Sequence, residues 1–222
     1  MTRAPEELDP NVFPSKRISW SDLKAIIERQ ELFSLQRSVK QERFYRNYSN
    51  KIKQIWNSIY DFILHHKFNY EVTSVSVSVS STCEVESADS TTSFVEYHED
   101  DCDGDLSLLP PVNPPPSGMQ WAAKAPVDNN TSKGKALVLN DFPYYFEDGV
   151  EHWCLWKLGS DVTQEDLDWA IEDLSKRGYF SEFLHWVNPV HLKSLIDIDH
   201  AHIVCLRKDR PSCSLAKDGT KD

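Results

Sequence analysis

His200-Ala-His202 places two imidazoles two residues apart in a run rich in β-formers, His200 to Leu206. On a strand, residues i and i+2 share a face, so both rings can reach one metal ion or one phosphate. His152 begins a second apolar run, and Asp141, Glu151 and Asp199 stand at neighbouring strand ends or loops. Two or three histidines with a carboxylate form a reasonable metal set or catalytic cluster. His152, His200 and His202 are therefore the candidate catalytic residues, although nothing in the residues names a metal or cofactor. The competing account is structural, because H-x-H is a low-specificity match and histidines at a strand entrance are commonly just hydrogen-bonded.

The same run invites comparison with histidine-triad nucleotide hydrolases, but Val204 stands where a third alternating histidine belongs, and no glycine-rich phosphate loop accompanies it. G-x-S-x-G, a kinase Gly-rich loop with H-R-D, and G-x-G-x-x-G are likewise missing. The aromatic residues Phe142, Tyr144, Tyr145, Phe146, Trp153 and Trp156 suit stacking on a pyranose face, with core packing as the default account. Arg37, Asp141 and Tyr144 are the candidate ligand-binding residues. Arg37 is expected either to bind an anion at such a cleft or to pair with an acidic residue of the C-terminal piece.

The elements that must position these groups follow from periodicity and punctuation. Ser19-Trp-Ser-Asp22 has a helix-start form, and Trp20, Leu23, Ile26 and Ile27 predict a helix over about 19–30. Ile52, Ile55, Trp56, Ile59, Tyr60 and Ile63 make one apolar stripe, which predicts a second helix running on from Phe44 and Tyr45 without a break. The two are expected to form an antiparallel pair around a link at residues 33–37. In the C-terminal piece, a strand over 152–157, a helix opened by Thr163-Gln-Glu-Asp166, a strand over 183–187, a short helix at Asn188-Pro189 and a strand over 200–206 follow in order. The predicted class is α+β: an N-terminal helical pair packed on a small mixed sheet of three or four strands, interrupted by a disordered acidic Ser/Pro-rich insert.

The net charge of −11 over 222 residues is unevenly distributed. Residues 1–70 carry +4, 71–133 carry −9 and 134–222 carry −6. The middle piece is rich in Ser, Thr, Pro and acidic residues and poor in apolar ones, so 71–133 is expected to be low-complexity and disordered. The alternating stretch Val72 to Ser80 could be an edge strand, but no nearby turn supplies a partner, which favours a Ser tract that never orders. The expected organisation is thus 15–70 and 134–208 as two halves of one domain, with 209–222 a flexible tail.

No run approaches the ~18 apolar residues of a membrane span, and the first residues show no signal-peptide pattern. Five cysteines without a C-x-x-C pair argue against a disulfide framework and suit a cytoplasmic or nuclear protein. Net acidity disfavours nucleic acid as a partner, and the basic face at Arg37, Lys40, Arg43, Arg46, Lys51 and Lys53 reads as a solvated helix surface.

Several short motifs in order carry a resemblance: Ile18-Ser-Trp20, Leu35-Gln-Arg37-Ser38, Leu139-Asn-Asp141-Phe-Pro143-Tyr144, His152-Trp-Cys-Leu-Trp156, Asn188-Pro-Val-His-Leu192 and His200-Ala-His202. Over about 15–70 and 135–207 the chain resembles the fungal family named for the N-acetylglucosamine-induced protein. That resemblance implies a fungal intracellular protein linked by name to growth on the amino sugar, and transfers no catalytic residue. Two readings follow. One is a nutrient or stress response protein acting through a protein partner. The other is an enzyme or binding module that uses the histidine cluster on an amino-sugar, nucleotide-sugar or nucleotide ligand, metal-dependent or histidine-triad-like.

Overall fold

The computed structural model of the protein describes residues 12–76, 113–124, 134–193 and 195–208. Helix α1 (Trp20–Glu28) starts where expected: the Ser19 hydroxyl accepts the Asp22 backbone N–H. Helix α2 (Val39–Ile55) opens on a reciprocal capping box between Ser38 and Gln41.

The single apolar stripe of the sequence is two helices. α2 ends at Ile55, and α3 (Ile59–Phe68) starts afresh with Ser58 accepting the Asp61 N–H. Ser58-x-x-Asp61 is itself a helix-start signal, and Asn57 turns its N–H away to the Trp121 carbonyl at 2.8 Å. The stripe survives the break because Ile52, Trp56, Phe62 and Ile63 all enter one core cluster. The helical half therefore holds three α-helices rather than a pair.

Trp121 belongs to a small antiparallel sheet made of β1 (Val72–Ser76) and β2 (Met119–Ala123). Both strands lie inside the segment expected to be disordered, so its two ends are part of the fold. The partner of the Val/Ser stretch comes from more than forty residues away, which local turn signals could not reveal. Residues 77–112 and 125–133, and the 209–222 tail, lie outside the described residues.

The main sheet has the order β3 (Lys135–Leu139), β4 (Val150–Lys157), β6 (Asp199–Arg207), β5 (Phe180–Val187). The α+β class is as expected, but every strand pair is antiparallel rather than mixed. One face, with Trp153, Leu155, Ala201, Ile203 and Cys205, packs on α4 (Gln164–Lys176) through Leu167, Ala170 and Leu174. The other face receives the N-terminal helices: Trp20, Leu23 and Leu35 meet Trp186 and Val204, while Tyr48, Ile52 and Phe62 meet Trp156. Burial on both faces explains why β4 and β6 read as nearly continuous apolar runs. No helix among the described residues is long and apolar enough to cross a membrane.

Candidate functional site

The register of β4 on β6 decides which side chains meet. Cys154 lies opposite His202 and Trp156 opposite His200, so these four share the face turned to the N-terminal helices. His152, two residues before Cys154, joins them on that face. All three histidines are buried, at 2–6% exposure.

His152 Nε2 and His202 Nδ1 lie 2.9 Å apart, and the surrounding network fixes who donates. The Trp186 indole N–H can only donate, and it reaches Asn188 Oδ1 at 3.1 Å. Asn188 must therefore turn its NH2 to His202 Nε2, also at 3.1 Å, making that nitrogen an acceptor. His202 then carries its proton on Nδ1 and donates to His152. Similarly, the Phe142 N–H holds Asn140 Oδ1, so Asn140 presents its NH2 to His152. The Tyr144 N–H also points to this ring, 3.4 Å from Nδ1.

Donors thus outnumber acceptors around the pair. Two neutral imidazoles offer two acceptor nitrogens, and one is used between the rings themselves. Protonating either ring would add a donor to a surplus of donors. Burial, the Arg37 charge and His200 hold His152 at about 3, and burial together with its two neighbouring histidines holds His202 well below the usual range.

Cys154 Sγ lies 3.8 Å from His202 Nδ1, and the ligand atoms of His152, Cys154 and His202 fall within 4.8 Å of one another. Sequence reasoning named His200 as the third member and missed Cys154, although its place on the His152 face was legible from alternation. The side chains that touch these rings do not suit a cation. A metal on His202 Nδ1 would require a proton on Nε2, where the Asn188 NH2 already points, whereas metal-bound histidines donate that proton to an oxygen acceptor. Burial pushes the Cys154 thiol up to about 12, so it stands as a neutral thiol beside the two rings.

His200 is not hydrogen-bonded to that pair, although its ring lies edge-on to His202 with centroids 5.2 Å apart. Its ring lies against Trp156, tilted by 31° with centroids 4.6 Å apart, and its Nδ1 faces the Ile198 carbonyl at 3.4 Å. Its Nε2 has no partner among the described residues. Burial holds His200 below the ordinary histidine value.

Between this sheet face and helices α2 and α3 lies a cavity of about 230 Å³. Cys154, Trp156, His200 and His202 form its sheet side; Tyr45, Ser49 and Lys67 are among its helical lining. The three residues expected to bind ligand, Arg37, Asp141 and Tyr144, all line it, while His152 stands behind it. Lys67 grips Asp141 at 2.7 and 2.9 Å. Arg37 stacks on Tyr45 at 4.2 Å, donates to the Phe142 carbonyl at 3.2 Å and pairs with Glu42. Arg37 thus does join the two halves, but through a backbone carbonyl, while its carboxylate partner comes from its own half. Lys67 went unnoticed in the sequence because its partner lies 74 residues away.

Comparison with known proteins agrees with the resemblance carried by the short motifs. Over 201 residues the chain is 24% identical to N-acetylglucosamine-induced protein 1 of Candida albicans, covering 84% of this chain and 67% of that protein. It is also similar to HTC1, known from a crystal structure, at 19% identity and a TM-score of 0.44, with 88% of this chain and 89% of that one covered. A family model described as "Protein of unknown function (DUF3605)" matches residues 19–206, and the chain belongs to that family.

Proposed function

We propose that this protein is a small-molecule-binding domain whose ligand is an amino sugar of the N-acetylglucosamine type, and that it serves a nutrient or stress response through protein partners in the cytoplasm or nucleus. The observation that carries the reading is the cavity between the sheet and the helices. At about 230 Å³ it lies below the ~300–1,000 Å³ of drug-sized sites, in the size class of one sugar ring. Its lining combines the rings of Tyr45, Tyr144 and Trp156 with hydrogen-bonding groups on Asn140, Asn188 and His200. Aromatic faces suit the C–H face of a pyranose, and the amides and the free His200 nitrogen suit its hydroxyl and acetamido groups. The Candida albicans relative is named for its induction by the same sugar.

Binding is favoured over glycoside hydrolysis by the carboxylates. That chemistry ordinarily uses two, and Asp141, the one acidic residue lining the cavity among the described residues, is engaged by Lys67. The enzyme alternative would rest on His200, the cavity histidine with an unengaged ring nitrogen.

Calorimetric titration of the full chain with N-acetylglucosamine, glucosamine and glucose tests the reading. Saturable binding with preference for the acetylated sugar is expected, together with at least a tenfold loss in Ser49→Phe, which fills the cavity from its helical side. The absence of heat and of thermal stabilisation with every hexosamine at millimolar concentration would overturn it.

A further inference from the structure

Resting on that reading, we propose that the sugar carries a phosphate, bound at the end of the cavity where Arg37 and Lys67 converge. The convergence is set by two consecutive residues: Lys67 holds the Asp141 carboxylate and Arg37 holds the Phe142 carbonyl. Both cations line the cavity, although they come from different parts of the helical half.

The charges there do not cancel. Arg37, Arg46 and Lys67 face Glu42 and Asp141, with Glu42 shared between the two arginines, which leaves one positive charge in excess. Of the two arginines that share Glu42, Arg37 lines the cavity and its side chain is 19% exposed, so water screens its charge only in part. Among the described residues the rest of the polar lining offers no compensating anion: beside Asp141 it consists of hydroxyls, the amides of Asn140 and Asn188, a thiol and imidazoles.

Donor capacity is in excess too. Of the five N–H groups of Arg37, two reach acceptors among the described residues, the Phe142 carbonyl and Glu42. Its guanidinium plane is fixed by stacking on Tyr45, so the remaining N–H groups keep a set direction without further loss of freedom. A phosphate monoester supplies the negative charge and three strong acceptor oxygens that this end of the cavity lacks. A neutral sugar supplies neither.

The test is calorimetric titration of the full chain with N-acetylglucosamine 6-phosphate, N-acetylglucosamine, glucuronate and inorganic phosphate, at low and high salt. The phosphosugar is expected to bind at least tenfold more tightly than the neutral sugar, and its affinity should fall several-fold at high salt while that of the neutral sugar does not. In Arg37→Gln the ratio between the two sugars should drop toward one, and Arg37→Lys should restore part of it. If Arg37→Gln does not fold, the salt dependence of the natural protein decides. Equal affinity for both sugars would overturn the phosphate assignment while leaving the amino-sugar reading standing. Tighter binding of glucuronate would place a carboxylate there instead, and inorganic phosphate binding as tightly as the phosphosugar would mean that the sugar ring is not recognised. Binding of none of the four would remove the amino-sugar reading itself.

Discussion

At the scale of single residues, the buried histidines act as fixed neutral groups, and this has a measurable consequence. An unfolded histidine titrates near 6.5, whereas His152 in the fold stays neutral down to about 3 and His202 also lies far below the ordinary value. Below 6.5 the unfolded chain therefore binds protons that the folded chain refuses, so stability present at neutral pH is lost as pH falls. At about pH 5.5 each such ring costs about 1.4 kcal/mol, or roughly 2–3 kcal/mol for the pair. Urea unfolding at about pH 7.5 and 5.5 should show at least that drop, since His66 (held at about 4 by burial, His65 and Lys67) and His200 add to it in the same sense. Replacing His202 with Gln should reduce it, and equal stability at the two pH values would show that the rings are not held neutral. Much of this cluster was legible in the sequence: alternation put His152, Cys154 and Trp156 on one face, and His200 with His202 on another strand. What alternation cannot supply is the register that sets Cys154 against His202, or the asparagine orientations fixed by Trp186 and Phe142.

At the scale of elements, the cap of α4 ties a helix to the sheet. Asp166 closes a capping box with Thr163 and also receives Lys135 from β3 and Lys157 from β4, at 3.1 and 2.7 Å. Burial opposes the charge on Asp166, yet the hydrogen bonds from Lys157, Thr163 and Lys135 outweigh it and hold the carboxyl well below its usual range. Asp166→Ala should cost about 2 kcal/mol or more, because two lysines lose their partner and the helix loses half its cap. Asp173→Ala, which removes only an exposed pair with Arg177, should stay within about 0.5 kcal/mol. Chemical unfolding of both variants checks the contrast, and equal effects would contradict it. The Thr163 cap was visible in the sequence, since S/T-x-x-D/E precedes an apolar stripe. The break between α2 and α3 was masked because the stripe continues across it in phase, and only the Ser58 cap marked the new start.

At the scale of the whole molecule, the acidic middle segment is anchored at both ends. Ser76 and Met119 pair across the small sheet, so the chain leaves and re-enters the fold at neighbouring points. Replacing 77–112 with a short Gly/Ser linker should leave the melting temperature unchanged or slightly raised, since a shorter loop costs less entropy to close. Deleting 80–133 instead removes β2 and uncovers Trp56, which bridges to Trp121, and should lower it by several degrees. Thermal melts of the two forms separate these cases. That β1 and β2 belong to the fold was not readable from composition, because a strand pair closed over such a distance leaves no local turn signal.

The cavity is the product of all three scales: strand register sets its sheet side, the α2–α3 break shapes its helical wall, and the docking of the two halves closes it around Arg37, Lys67 and Asp141. Its occupation by an amino sugar is the central claim. Side-chain nitrogen NMR of the histidines during titration with N-acetylglucosamine tests it most directly. The His200 Nε2 resonance should move saturably as its free nitrogen gains a partner, while His152 Nδ1, behind the cavity, should stay nearly still. A titration in which no His200 resonance responds, or in which all the histidines shift together without saturation, would contradict it.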